Sequence, residues 1–225
     1  MRDGIHIEQQ KSIVKFARRA NRSQSVAALC ILGALVLVGV AFRWQRVGPA
    51  APPVAMVQGA TASGSGVLIS STLLVTSAHV IGTQGAVQVT FADNSALTAQ
   101  VVFADSTSDV AVLQLGSPDS TLVPLPIGET EGLDNGARVT AVGYPGGRMS
   151  KLATQLTSKT ATQLLTTGAA DPGISGGALL SDDEHLIGVI GATRELGWRS
   201  DPGHIWAIPM QVVRKVCRDH GVPLE

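Results

Sequence analysis

The feature that most restricts the fold is the way the apolar residues are parcelled after about residue 56. They come in short runs, at 67–69, 73–76, 87–91, 97–103, 110–115, 139–143, 152–156, 162–166, 178–180, 186–190 and 205–208, broken by Gly, Ser, Asp and Asn. Runs of this length, rich in Val, Ile, Leu and Thr and separated by turn residues, read as β-strands. With strands succeeding one another at short intervals and no long helical pattern between them, the fold is an antiparallel barrel or sandwich and not a parallel sheet. Only the end is helical: Met210, Val213, Val216 and Cys217 recur on one helical face after Pro209, with Gly221 available to stop the helix, which predicts a C-terminal helix over 209–220. Cys217 then belongs to the core. A chain that is 44% hydrophobic and 15% charged, with 25 glycines, buries a real core and is neither disordered nor collagen-like.

The net charge of zero conceals a division. Residues 1–46 hold eight Lys/Arg against two Asp/Glu, whereas residues 47–225 hold nine against fifteen. The acidic body has no Lys/Arg cluster to neutralise phosphates, so no nucleic-acid partner is expected. Residues 26–42, VAALCILGALVLVGVAF, carry no charge, and as a helix they would measure about 25 Å, the short end of a bilayer span. Arg2, Lys11, Lys15, Arg18, Arg19 and Arg22 precede this segment and only Arg43 and Arg46 come closely after it. Positive charge is retained on the cytoplasmic side, so the amino terminus stays inside and everything after Trp44 faces out. A cleaved signal peptide is the rival, but the charged region is long for one and no clear small-residue cleavage site ends the apolar run. The two cysteines, Cys30 and Cys217, make no disulfide framework. Residues 48–53, GPAAPP, read as a semi-rigid spacer. The expected organisation is a basic cytoplasmic tail over 1–25, a transmembrane helix over 26–44 in contact with the lipid bilayer, a linker over 45–57 and a β domain over 58–225.

Chemistry concentrates in three places. Asp171 to Gly177 reads D-P-G-I-S-G-G, and three glycines around one serine allow the backbone N–H groups of Gly173 and Ser175 to converge beside the serine hydroxyl, as in an oxyanion hole. A serine nucleophile needs a base, and His79 stands directly after the β-rich run L-L-V-T-S-A. The base needs an orienting carboxylate, and Asp109 opens the core run D-V-A-V-L-Q-L. An acid at the mouth of a core strand is costly unless paired. His79, Asp109 and Ser175 are thus the candidate catalytic residues. Their order along the chain, His then Asp then Ser, is the chymotrypsin-type order.

T-S-A-H-V, D-V-A-V-L-Q-L, G-Y-P-G-G, D-P-G-I-S-G-G-A-L and I-W-A-I-P, in that sequence, resemble segments of trypsin-like serine proteases of the bacterial HtrA (Deg) branch, over about residues 60–216. The resemblance implies an all-β fold of two perpendicular antiparallel six-stranded β-barrels with a C-terminal helix. Barrel 1 would occupy about 60–125 and barrel 2 about 126–208, with the transmembrane helix preceding them. It implies a serine endopeptidase acting on unfolded or specific extracytoplasmic proteins through an acyl-enzyme, with the oxyanion donors at Gly173 and Ser175. Ala169 and Ala170 would lie near the wall of the specificity pocket, and Ile190, Gly191 and Ala192 on the segment that pairs with substrate backbone. No acid over 166–170 is placed to bind Lys or Arg, so small or medium apolar P1 side chains are expected. The implied location is the inner membrane with the protease domain in the periplasm. A homo-oligomer is a candidate assembly, and no cofactor is implied. Two departures stand out. Family members often have Asn before the serine and Pro after the second glycine, whereas this chain has Ile174 and Ala178, and an apolar Ile174 cannot make the hydrogen bonds of an Asn. The family usually continues into PDZ domains, while this sequence stops at Glu225.

Other readings are weaker. Gly173 to Gly177 also satisfies the G-x-S-x-G pattern of α/β-hydrolases, but the residues after Ser175 read as a strand, leaving His204 or His220 with Asp182, Asp183 or Asp201 as improbable partners. Ser12 and Lys15 have Ser/Lys-pair spacing within a charged tail, where chance explains them. The five histidines are scattered without metal-ligand spacing. The rival from a different class is a tethered barrel that binds peptides without cleaving them.

Overall fold

The computed structural model describes residues 52–60, 62–116, 123–168, 171–191, 204–222 and 224. The tail over 1–25 and the apolar segment over 26–44 lie outside the described residues. Among the described residues no helix is long and apolar enough to cross a membrane.

Twelve strands form two closed six-stranded antiparallel barrels. The first comprises β1 (Val54–Gln58), β2 (Ser63–Leu68), β3 (Leu73–Thr76), β4 (Ala86–Thr90), β5 (Ala96–Asp105) and β6 (Val110–Leu115). The second comprises β7 (Arg138–Gly143), β8 (Ser150–Lys159), β9 (Leu164–Thr167), β10 (Ala178–Ser181), β11 (Leu186–Ile190) and β12 (His204–Pro209). Around the first barrel the order is β1-β2-β3-β6-β5-β4, and around the second β7-β8-β9-β12-β11-β10, so the two wind identically. Closure removes the sheet edges that would otherwise expose unpaired backbone. A single helical turn, α1 (Ala78–Ile81), comes after β3, and helix α2 (Met210–Asp219) after β12. The linker expected over 45–57 is corrected at its end, because 54–57 belong to β1, which pairs with both β2 and β4 and is needed to close the first barrel.

The burial pattern explains which strands were legible. Leu74 and Leu113 fill the first barrel, while the intervening Val75, Val110 and Val112 turn outward into an apolar seam that also takes Val142, Ala178, Leu180, Val189 and Ile208 from the second barrel. Ile187, Ile190 and Ile205 fill the second barrel's interior. Strands β6, β10 and β11 are therefore covered on both faces, which is why their sequences are nearly continuous apolar runs and not alternations. Strand β5, outward on one face, alternates.

The predicted C-terminal helix is present. Met210, Val213, Val216 and Cys217 form its buried face and pack into the same seam. Cys217 is completely buried, and desolvation pushes its thiol up to about 11. The thiolate is the reactive form, so Cys217 in the folded protein should resist iodoacetamide at pH 8 and react only when the chain is unfolded in denaturant. Peptide mapping of the alkylated protein checks this separately from Cys30.

Candidate active site

His79 and Asp109 meet at the mouth of the first barrel. The chain leaves β3 at Thr76, where the run 73–76 predicted, and the turn α1 just beyond it carries His79. Ser77 occupies the N-cap position but makes no side-chain cap bond. The turn's first amides are satisfied instead from β6: Ala78 N–H donates to the Asp109 carbonyl (3.3 Å) and His79 N–H to Asp109 Oδ1 (3.0 Å). The same carboxylate receives His79 Nδ1, at 2.9 Å from Oδ1 and 3.0 Å from Oδ2. Asp109 is only 4% exposed and holds φ at +55°, a left-handed conformation that Asp tolerates better than most side chains. An ionised carboxylate can only accept, so Nδ1 carries the ring proton and Nε2 is the basic nitrogen.

The serine loop reaches this place from the second barrel. Strand β2 passes between the two: a Cβ added at Gly64 would lie 2.5 Å from the Val80 side chain and 2.9 Å from the Ser175 carbonyl. Ser65 N–H, in β2, donates to that carbonyl at 2.7 Å. The next residue, Gly176 (φ +83°), packs so closely on Ser65, Thr76 and Ser77 that a side chain there would be driven into them. The carbonyl of Ile190 takes both Gly176 N–H (2.6 Å) and the Ser77 hydroxyl (3.2 Å). Ser77 is two residues before His79 and Gly176 one after Ser175, so these bonds bring the two predicted segments to one stretch of the seam. Ser175 itself is half-buried.

Within the loop the backbone is spent selectively. Of the five amides from Gly173 to Gly177, those of Ile174, Gly176 and Gly177 donate to Asp171, Ile190 and Ile174. Among the described residues, the amides of Gly173 and Ser175 donate to no backbone acceptor. The carbonyls are tied down: Pro172 accepts from Gly146 N–H (3.0 Å), Gly173 from the Ser65 hydroxyl (2.6 Å), and Ile174 from Gly177 N–H (2.9 Å). Gly173, at φ +99°, leaves no room for a Cβ, which would meet the Tyr144 carbonyl at 2.5 Å. Two neighbouring N–H donors with no acceptor among the described residues, in a loop whose Pro172, Gly173, Ile174 and Ser175 carbonyls are committed, can receive an anionic oxygen.

Of the other expected site residues, Ala169, Ala170 and Ala192 lie outside the described residues. Ile190 is fully buried, its N–H donates to Gly177 and its carbonyl is taken as above, so it is a structural residue of the second barrel with no main-chain group left for substrate. Gly191 donates its N–H to Trp206, whose ring packs against its Cα and excludes any side chain there. Of the alternative histidines, His204 begins β12, and His220 stacks on Phe103 with ring centroids 4.2 Å apart and contacts the Val216 carbonyl at the end of α2. His185 pairs with Asp183 within the β10–β11 turn (2.9 Å). No cluster of metal-ligating side chains occurs among the described residues.

The parts played by two residues were not anticipated from sequence. Ser65 was hidden inside a strand, its only signal being the glycines on either side of it, which mark a close backbone approach. Ile174 is 4% exposed and packs into the core of the second barrel, so the loop is held by burial where an Asn would hold it by hydrogen bonds. Ile174→Asn should therefore lower stability by about 2–4 kcal/mol, since it loses apolar burial and strands an amide in the core. Urea unfolding of the variant against the parent measures this, and an unchanged midpoint would show that the loop is held some other way.

Residues 64–189, more than half of the chain, match the family model described as a trypsin-like peptidase domain. Protease Do-like 1, chloroplastic, of Arabidopsis thaliana is 32% identical over 167 residues, covering 64% of this chain and 38% of that protein. The serine protease HtrA-like of Staphylococcus aureus (strain USA300) is 27% identical over 186 residues, covering 69% of this chain and 23% of that protein. The chain thus spans well under half the length of these relatives. Among solved structures, the serine endoprotease from Yersinia pestis superposes with a TM-score of 0.65 at 26% identity, covering 76% of this chain and 63% of that one. By its two barrels and by a family match running from the second strand to the eleventh, the chain belongs to the trypsin-like peptidase domain family, with HtrA-type serine proteases among its relatives.

Proposed function

We propose that this chain is a membrane-anchored serine endopeptidase in which His79, Asp109 and Ser175 form the catalytic triad and the amides of Gly173 and Ser175 form the oxyanion hole. The observation that carries the reading is the coincidence, at one stretch of the seam, of an imidazole oriented by a buried carboxylate and a serine loop with two unspent amides. Ser175 Oγ attacks the carbonyl carbon of a peptide bond while His79 Nε2 takes its proton. The oxygen of the tetrahedral intermediate becomes negative and is received by the two amides, and His79 returns the proton to the departing amine. Water, deprotonated by the same imidazole, then hydrolyses the acyl-enzyme. Asp109 holds Nδ1–H and stabilises the imidazolium that forms in each half-reaction.

The substrate is an extended peptide or unfolded protein. In the segment expected to pair with it, Ile190 keeps its main-chain groups within the barrel and Gly191 N–H donates to Trp206, so the pairing is assigned to the Gly191 carbonyl and the residues after it. Trp206 over Gly191 and the absence of an acid over 166–170 support small or medium apolar P1 residues. The uncharged run 26–42, with basic residues before it, supports a single membrane span that leaves the protease outside the cytoplasm.

Three outcomes are expected. The protein should hydrolyse casein and be labelled covalently at Ser175 by a fluorophosphonate. Ser175→Ala should abolish both, with a fall in kcat of at least about 10⁴-fold and little change in melting temperature. Folded parent protein that stays unlabelled, with casein intact, would make it a peptide-binding barrel and not an enzyme. Asp109→Asn should fold yet lower kcat by about four orders of magnitude, because a side-chain amide presents the wrong partner to Nδ1. An alkaline phosphatase fusion at Glu225 should be active, as it is only outside the cytoplasm, and an inactive fusion would reverse the topology.

A further inference from the structure

The geometry points to Ser65 as a positioning residue of the oxyanion hole, acting from the opposite barrel. This rests on the proposed protease reading and adds to it a residue that touches neither substrate nor the reacting atoms. Ser65 is in β2 and fully buried, where an unpartnered hydroxyl would be costly. Every polar group it has is engaged, and three of the four bonds bear on the serine loop or its support. Its N–H donates to the Ser175 carbonyl (2.7 Å), its hydroxyl donates to the Gly173 carbonyl (2.6 Å), and the same hydroxyl accepts from Tyr144 N–H (2.8 Å). Its own carbonyl accepts the Thr76 hydroxyl at 2.6 Å, just before the turn that carries His79.

The consequence lies in which peptide units these bonds fix. The two unspent amides belong to the Pro172–Gly173 and Ile174–Ser175 peptides. Between them lies the Gly173–Ile174 peptide, whose carbonyl is the one Ser65 holds. Gly173 sits at φ +99°, where no Cβ restricts its backbone, so the orientation of that peptide rests on two hydrogen bonds, from the Ser65 hydroxyl to its carbonyl and from its own N–H, that of Ile174, to the Asp171 carbonyl (3.2 Å). With the Ser65 hydroxyl present, the carbonyl is drawn toward β2. Without it, that carbonyl is a part-buried acceptor that has lost its donor, and it gains by turning toward the two amides of its own loop that would receive the oxyanion. A carbonyl dipole there would repel the charge that develops in the transition state. A serine hydroxyl suits the role because one atom both donates and accepts: the Tyr144 amide orients it and its single proton is left for Gly173.

The test compares full-length parent, Ser65→Ala, Ser65→Cys and Ser175→Ala. Each is assayed for urea unfolding, for kcat and KM on a fluorogenic peptide, and for affinity toward a peptide boronic acid, which forms a tetrahedral adduct on the serine. Ser65→Ala should lower kcat about 10- to 100-fold with KM within about twofold, since ground-state contacts are untouched and only transition-state stabilisation is lost. Boronate affinity should fall by the same factor as kcat. Ser65→Cys, with a weaker donor, should fall between parent and Ser65→Ala. A folded Ser65→Ala with parental kcat and boronate affinity would overturn the assignment, as would loss of cooperative unfolding in both Ser65 variants, which would make the residue part of the scaffold alone. If the parent cleaves no better than Ser175→Ala, the protease reading itself falls and this inference falls with it. Activity in the parent with no Ser65 effect sinks only the inference.

Discussion

A carboxylate as deeply buried as that of Asp109 must be met by donors, and in this protein those donors decide where the imidazole goes. The bonds from His79 N–H and from Nδ1 both end on that carboxylate, while Ala78 N–H ends on the residue's carbonyl. A helical turn of four residues has no stability of its own, and its N-cap serine is committed elsewhere. The aspartate at the start of β6 therefore holds α1 in place. The imidazole is oriented by the same group that fixes its backbone, so removing the charge loosens position and tautomer together.

The seam between the barrels solves a related problem for the serine. Apolar side chains from both barrels bury one another there, and any main-chain group trapped among them needs a partner. Ser65 and Ser77 from the first barrel and Ile190 from the second supply those partners, and each bond crosses to the serine loop or to the strand beneath it. The carbonyls of Pro172, Gly173, Ile174 and Ser175 are taken, while the amides of Gly173 and Ser175 donate to no backbone acceptor among the described residues. The proposed oxyanion hole thus follows from ordinary hydrogen-bond accounting in the loop.

The sequence announced the parts of this that depend on local pattern. Strands β6, β10 and β11 were visible because burial on both faces removes every polar residue from the run, and α2 because its buried residues keep helical spacing. His79, Asp109 and the serine loop were visible as residue types whose placement is costly without a purpose. Strand β1 was not, because it starts immediately after Pro52 and Pro53, and proline there reads as a spacer although it is compatible with the first position of a strand. Ser65 escaped for a different reason: its partner Gly173 is 108 residues away, and nothing within β2 itself tells a serine that faces a loop from one that faces a neighbouring strand. Ile190 was assigned to the substrate-pairing segment by resemblance alone, whereas its side chain packs into the second barrel and its N–H and carbonyl are bonded within the protein.

One strained backbone conformation lies beside the histidine. Of the non-glycine residues with positive φ, Asn94 and Glu184 lie in the turns β4–β5 and β10–β11, where such conformations are expected, but Asp109 lies at the start of a core strand. Its left-handed backbone costs about 1 kcal/mol or more. Releasing it would rotate the carboxylate away from α1 and break bonds to two successive backbone amides and a ring nitrogen, each a hydrogen bond to a group with little access to water. The hydrogen bonds to the charged carboxylate alone are worth about 1.5–3 kcal/mol apiece, so the strained conformation is the stable one as long as the histidine is in place. The imidazole and the aspartate thus hold each other in place.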